Sequence, residues 1–196
     1  PHAPYPQVER RNVVKALPTR LPGVIVIEPA IHGDSRGWFQ ETYRRNVLAE
    51  LGITDEFVQD NHSRSQRGGL HFQVGAHPQA KLVRCARGAV LDVVVDIRRG
   101  SPTFGQWEAW TLDDERGLQL YCPIGFAHGF CVVSDVADVV YRCSDYYDPA
   151  SDSSIAHDDP ALGITWPAGE HEVSDRDRAA PALADVADQL PFEWVP

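Results

Sequence analysis

The stretch AVLDVVVDI, residues 89–97, decides the class of fold. Leu91, Val93, Val95 and Ile97 alternate in it with Val90, Asp92, Val94 and Asp96, so a period of two assigns a strand with both aspartates on one face. A barrel lining would use that face. On its C-terminal side, RRGSPTFG (residues 98–105) is a turn by composition. Further out, strand patterns fall at residues 23–28, 38–43, 57–60, 81–86, 104–112, 119–122, 129–133 and 136–143. Short strands divided by Gly, Pro and Asp/Asn/Ser turns are the rhythm of sandwiches and barrels. Helical periodicity is convincing only over residues 44–51 and in PALADVADQL, residues 181–190, where the proline suits a first helical turn. The expectation is an all-β core with short peripheral helices.

A chain of 196 residues can bury one core with extensions and is short for two, so residues 1–196 read as one domain. Its barrel core is expected over about 23–147 and a helical extension over about 148–196. A formal net charge of −10, with no basic run longer than a pair of arginines, argues against a nucleic-acid surface. An anionic ligand must therefore be met by a few local Arg or Lys side chains. No apolar run approaches the roughly 18 residues of a membrane span. The opening PHAPYPQVERRNVVKALPTR is polar and Pro-rich, without the apolar segment of an export signal, so a cytoplasmic setting is expected. Cys85, Cys122, Cys131 and Cys143 show no C-x-x-C spacing and sit in apolar, strand-like contexts, which favours buried free thiols over disulfides or metal ligands.

Three stretches concentrate polar residues among apolar ones: QDNHSRSQRGGLHFQ (59–73), PIGFAHGF (123–130) and YRCSDYYDP (141–149). His62, between Asn61 and Ser63, reads as a loop histidine. His71 differs, because Leu70 and Phe72 flank it and period two aims it at the opposite face. By pattern alone it is as readily a satisfied core histidine as a functional one, and the same holds for His128. A metal centre is not expected. The residue two after His71 is Gln73, the one two before is Gly69, and His62 lies nine positions away, which is no recognised ligand spacing. Nor does the chain carry a Gly-rich nucleotide fingerprint, so no cofactor is expected.

Taken in order, the run D-x-R-G-x-F-x-E (34–41), VQDNHS (58–63), GLHFQ (69–73) and KLVRCARGAVLDVVVDIRRGSPTFGQW (81–107) resembles the dTDP-4-dehydrorhamnose 3,5-epimerase family. PIGFAHGF, YRCSDYY, DDPALGITWP (158–167) and SDRD (174–177) continue the resemblance, which spans roughly residues 22–183. It implies a cupin-type jelly-roll β-barrel without metal or cofactor, assembled as a homodimer whose N-terminal strands cross between subunits, with GVIVIE (23–28) a suitable crossing segment. The implied activity is inversion of C3 and C5 of dTDP-4-dehydro-6-deoxyglucose. Other readings are a single-position epimerase, a metal-dependent cupin enzyme and a silent sugar-nucleotide binder.

By motif position, His71 resembles the family's base, Asp177 the carboxylate paired with it, and Tyr141 the acid on the opposite face. Lys81 and Asp92 fall at the active-site lysine and its nearby carboxylate, and Tyr147 at a second active-site tyrosine. Arg36, Phe39, Glu41, Gln59, Asn61, Gln73 and His128 fall where the family contacts nucleotide and sugar. In one place the chain departs from the pattern: Gly68 stands where the family has a diphosphate-binding arginine, which leaves Arg67 or Arg64 to substitute, or a weaker grip on the ligand. Plainer roles stand beside these. Ser174-x-x-Asp177 is also a helix-capping box, Lys81 an edge charge, and Tyr141 and Tyr147 ordinary strand aromatics.

Overall fold

The computed structural model describes residues 13–64, 69–168 and 173–195. In chain order the strands are β1 (Lys15–Leu17), β2 (Ile25–Glu28), β3 (Ile31–Asp34), β4 (Gly37–Gln40), β5 (Gln59–Arg64), β6 (Leu70–Gln73) and β7 (Lys81–Arg87). They continue with β8 (Ala89–Asp96), β9 (Trp107–Asp113), β10 (Gln119–Cys122), β11 (Phe126–Val132), β12 (Asp138–Cys143) and β13 (Asp152–Ile155). The helices α1 (Arg45–Glu50), α2 (Asp175–Arg178) and α3 (Leu183–Val186) are short, and a 3-10 turn (Ala187–Gln189) follows α3.

Two antiparallel sheets carry the architecture. One has the order β1-β2-β10-β7-β12-β5, the other β13-β6-β11-β8-β9, and β3 and β4 form a separate hairpin. No ladder joins the two large sheets among the described residues, so the expected barrel is realised as two facing sheets and does not close. The segment expected to cross between subunits is occupied within its own chain: β2 is hydrogen-bonded to β1 on one side and to β10 on the other.

The alternation in β8 sets the layers. Val90 and Val94 point into the space between the sheets, where they meet Val83, Val139, Leu120, Phe126 and Phe130. Val93, Val95 and Ile97 point outward and are covered by Leu162, Leu183, Leu190 and Phe192 of the C-terminal segment. The five-stranded sheet is therefore buried on both faces, which explains why β8, flanked by β11 and β9, is aliphatic at most of its positions. The outer face of the six-stranded sheet packs Ile27, Leu82 and Tyr121 against Leu48 of α1 and Ile53.

The two aspartates of β8 share a face and divide in role. Asp96 closes the following turn, accepting from Ser101 Oγ, Thr103 Oγ1 and Arg98 Nη2 at 2.6 Å each. Burial alone would raise its pKa, but these partners outweigh burial and hold it below the usual carboxylate range. Asp92 lies further along the strand, fully buried, beneath His128.

The region expected as a helical extension also supplies β13, which pairs with β6 and places Ser154 opposite His71 and Asp152 opposite Gln73. The helix expected over 181–190 forms as α3 and the 3-10 turn. All four cysteines are buried and free.

Candidate active site

Towards one end of the inter-sheet space the aliphatic side chains give way to polar ones, and a cavity of about 460 Å³ opens. Period two decides its lining. From the six-stranded sheet come Gln59, Asn61 and Ser63 of β5, Lys81 of β7, and Tyr141 and Cys143 of β12. The facing sheet contributes His71 and Gln73 of β6, His128 of β11 and Asp152 of β13. His71 and His128 are direct cross-strand partners on the same face. Leu70 and Phe72 belong to the outer core cluster, so His71 points away from both, as the alternation requires.

His71 is held between two carboxylates. Its Nε2 lies 2.8 Å from Asp177 Oδ1 and its Nδ1 lies 3.7 Å from Asp152 Oδ1. Asp177 reaches it from α2, where Ser174 is the N-cap: Ser174 Oγ accepts from the Asp177 backbone N–H at 3.1 Å. The same hydroxyl donates to Asp177 Oδ2 at 2.8 Å, while Oδ1 is buried and lies against His71 Nε2 in a charge contact without hydrogen-bond alignment. The capping of α2 and the placement of Asp177 beside His71 are thus one arrangement. Gly69 makes room for it, because a Cβ at that position would overlap the Asp177 carboxylate and approach His71 Nε2 to 3.0 Å. Burial lowers the His71 pKa. Asp177 and Asp152 oppose that, Lys81 and Arg176 reinforce it, and the balance lies below the ordinary histidine value.

Across the cavity, burial raises the Tyr141 pKa above that of a free phenol, so the hydroxyl is protonated at neutral pH. Lys81 is the lysine or arginine on the described cavity wall, and among the described residues no carboxylate lies within ion-pair distance of it. Asp92 is not on that wall: its two oxygens both lie 3.0 Å from His128 Nε2, so it holds His128. Gln73 faces the cavity with its amide already used, donating to the His77 and Tyr146 carbonyls and accepting from the Asp148 N–H. Gln59 and Asn61 are linked to each other, and Gln59 also accepts from the Tyr147 N–H at 2.9 Å.

Other expected site residues lie elsewhere. Arg36, Phe39 and Glu41 belong to the β3–β4 hairpin and the segment after it, outside the cavity. Arg36 pairs with Asp34, Glu41 with Arg44, and the Phe39 ring is exposed. Arg64 makes a two-point pair with Asp138 at 2.7 and 2.9 Å and does not line the cavity, and Arg67 lies outside the described residues. His62 pairs in register with Val140 and contacts Asp138. Ser63, Gln79, Cys143 and Asp152 on the wall, and Arg176, which donates to Asp152, are among the residues outside the set expected from sequence.

A sequence profile described as dTDP-4-dehydrorhamnose 3,5-epimerase matches residues 18–185, which include every cavity-lining residue and Asp177. The chain belongs to this family. Among its members, the dTDP-4-dehydrorhamnose 3,5-epimerase of Salmonella typhimurium is 49% identical over 172 residues, covering 85% of this chain and 94% of that protein. A crystal structure of the Legionella pneumophila 3,5-epimerase in complex with dTDP-4-keto-L-rhamnose superposes with a TM-score of 0.89 at 47% identity, covering 93% of this chain and 100% of that one. NovW, a 4-keto-6-deoxy sugar epimerase from Streptomyces spheroides, gives 0.88 at 40% identity, covering 95% and 97%. The two-sheet core described above is therefore the cupin-like fold of the dTDP-4-dehydrorhamnose 3,5-epimerase family.

Proposed function

We propose that this chain inverts C3 and C5 of dTDP-4-dehydro-6-deoxyglucose to give dTDP-4-dehydro-L-rhamnose, with His71 as base and Tyr141 as acid. The observation that carries this reading is the placement of an imidazole and a phenol on opposing sheets across one cavity. Inversion requires it. A proton removed from one face of the sugar must be replaced from the other, so base and acid have to be different groups on different walls.

The C4 ketone acidifies the hydrogens on C3 and C5 because the carbanion is delocalised onto oxygen. Even so, transfer from such a carbon to histidine is uphill by roughly twelve pKa units, or about 16 kcal/mol. A base alone is insufficient, and the Lys81 ammonium is the group that meets the enolate oxygen. His71 is neutral at pH 7 and accepts the proton, and Asp177 fixes its tautomer and stabilises the imidazolium. Tyr141 then delivers its proton to the opposite face of the carbon and regains one from solvent. His128 braced by Asp92, with Gln59 and Asn61, supports sugar binding.

In heavy water, proton NMR of the turned-over nucleotide sugar is expected to show deuterium at both C3 and C5. Tyr141→Phe is expected to retain exchange while losing inversion, since His71 can still remove a proton and return one to the original face. Label at neither carbon in the wild type would overturn the base assignment. Label at one carbon would identify a single-position epimerase.

The assembly proposed is a cytoplasmic homodimer. Phe39 and Arg36 are exposed on a hairpin outside their own cavity, and a partner subunit's cavity gives them the nucleotide contacts that the family resemblance implies. Sedimentation velocity at micromolar concentration is expected to return a dimer; a stable monomer would remove this role for the hairpin.

A further inference from the structure

We infer that Asp152 is a second positioning carboxylate for His71, one that engages the imidazole only after it has taken the substrate proton and holds that proton at Nδ1. The inference rests on the reading of His71 as the base and adds a residue to it.

The two carboxylates beside His71 are built alike. Asp177 has Oδ2 tied to Ser174 Oγ and presents Oδ1 to Nε2. Asp152 has Oδ2 doubly tied, accepting from Arg176 Nη1 at 2.6 Å and from Tyr147 Oη at 3.1 Å, and presents Oδ1 towards Nδ1. They differ in distance and in place. Asp177 stands 2.8 Å from its nitrogen and off the cavity wall, whereas Asp152 stands 3.7 Å from its nitrogen and on the wall. The nitrogen facing substrate is therefore Nδ1. With the proton of neutral His71 on Nε2, towards the nearer carboxylate, Nδ1 carries the lone pair that attacks the C–H bond.

A lone pair facing a carboxylate oxygen makes no hydrogen bond, and 3.7 Å is beyond hydrogen-bond range. Proton abstraction changes this. The C–H bond breaks, its electron pair enters the enolate, and the proton forms an N–H bond at Nδ1 that can now be given to Asp152 Oδ1. The contact thus exists in the charged state and is absent in the ground state, which is the condition for an interaction to accelerate the step. Burial alone would raise the pKa of Asp152, but Arg176 and the Tyr147 hydroxyl outweigh it and keep the carboxylate ionised, with Oδ1 left for the ring. The charged or titratable groups around the imidazole are Asp177 and Arg176 from α2, Asp152 from β13, Lys81 from β7 and His128 from β11. Asp152 and Asp177 are the two that favour its protonated form.

The test uses the full chain labelled with 15N-histidine. Wild-type His71 is expected in the Nε2–H tautomer when neutral, and Asp152→Asn is expected to lower its titration midpoint by about one pKa unit. Turnover of the variant should fall roughly tenfold with KM unchanged, the acid limb of kcat/KM moving to lower pH by the same interval, and Asp152→Glu should recover part of both. An Nδ1–H tautomer in the wild type would overturn the inference without any variant being needed. So would an Asp152→Asn enzyme with wild-type kcat, or one whose losses leave the His71 midpoint unmoved, as a merely structural role predicts. Failure of the wild type to label either carbon in heavy water is a separate result, and it would fall on the epimerase reading itself.

Discussion

Replacing His71 by alanine is expected to reduce turnover by roughly 10³- to 10⁴-fold and to abolish deuterium uptake at C3 and C5 together. The effect is large because, on the proposed mechanism, one imidazole serves both carbons, and among the described residues the cavity offers no other free base. The other cavity histidine, His128, has its Nε2 committed to Asp92, and Asp152 is tied to Arg176. Loss at both carbons in one variant separates a shared base from two independent ones. Binding of dTDP, measured by calorimetry, should be nearly unchanged, because the proposed role of His71 is toward the sugar, which dTDP lacks. An alanine variant that still labelled one carbon would show that another residue removes that proton. The pH profile gives an independent check. His71 must be unprotonated to act, and its pKa is held below 6.5, so activity should persist to a pH below that value and fall off beneath it.

The second large effect is expected at Lys81. Substitution by alanine should cost about 10²- to 10³-fold in kcat with little change in KM, the signature of an interaction strengthened in the transition state. The physical reason lies in its surroundings. Among the described residues Lys81 lines the cavity without a carboxylate in ion-pair range, so its charge is not neutralised before substrate arrives. Asp92, expected from sequence beside the lysine, is instead sequestered under His128. Lys81→Gln, which keeps a donor but not the charge, should recover less than a tenth of the lost rate. Recovery to wild-type rates would mean that a neutral hydrogen bond suffices.

The faces of β8 could be read from its period, and the direction of His71 from the Leu70 and Phe72 that flank it on β6, because alternation along a strand survives any neighbour. Asp177 was legible as a motif position, and Ser174 as a cap; that both descriptions hold at once follows from a single hydroxyl serving the backbone and the side chain. Asp152 was hidden for a different reason. Its strand, DSSI, has turn-forming composition and becomes a strand only by pairing with β6, a long-range contact that local propensity does not contain. The same blindness applies to Asp92, where sequence gives the face and not the neighbour. Arg36, Phe39 and Glu41 fall at motif positions, yet they sit on the β3–β4 hairpin and just after it, outside the cavity of their own chain, and a motif position carries no information on which cavity it serves.

Ser174 caps a helix of four residues, too short to persist by its own hydrogen bonds. One half of the His71–Asp177 pair is therefore lodged in a sheet and the other in a short segment whose structure is borrowed from its packing. The imidazole is carried by β6 and its partner by α2, which is followed by the segment whose Leu183, Leu190 and Phe192 pack into one cluster with Leu70, Val93 and Ile155. The pairing of Asp177 with His71 thus depends on how that segment packs and not on the helix's own hydrogen bonds.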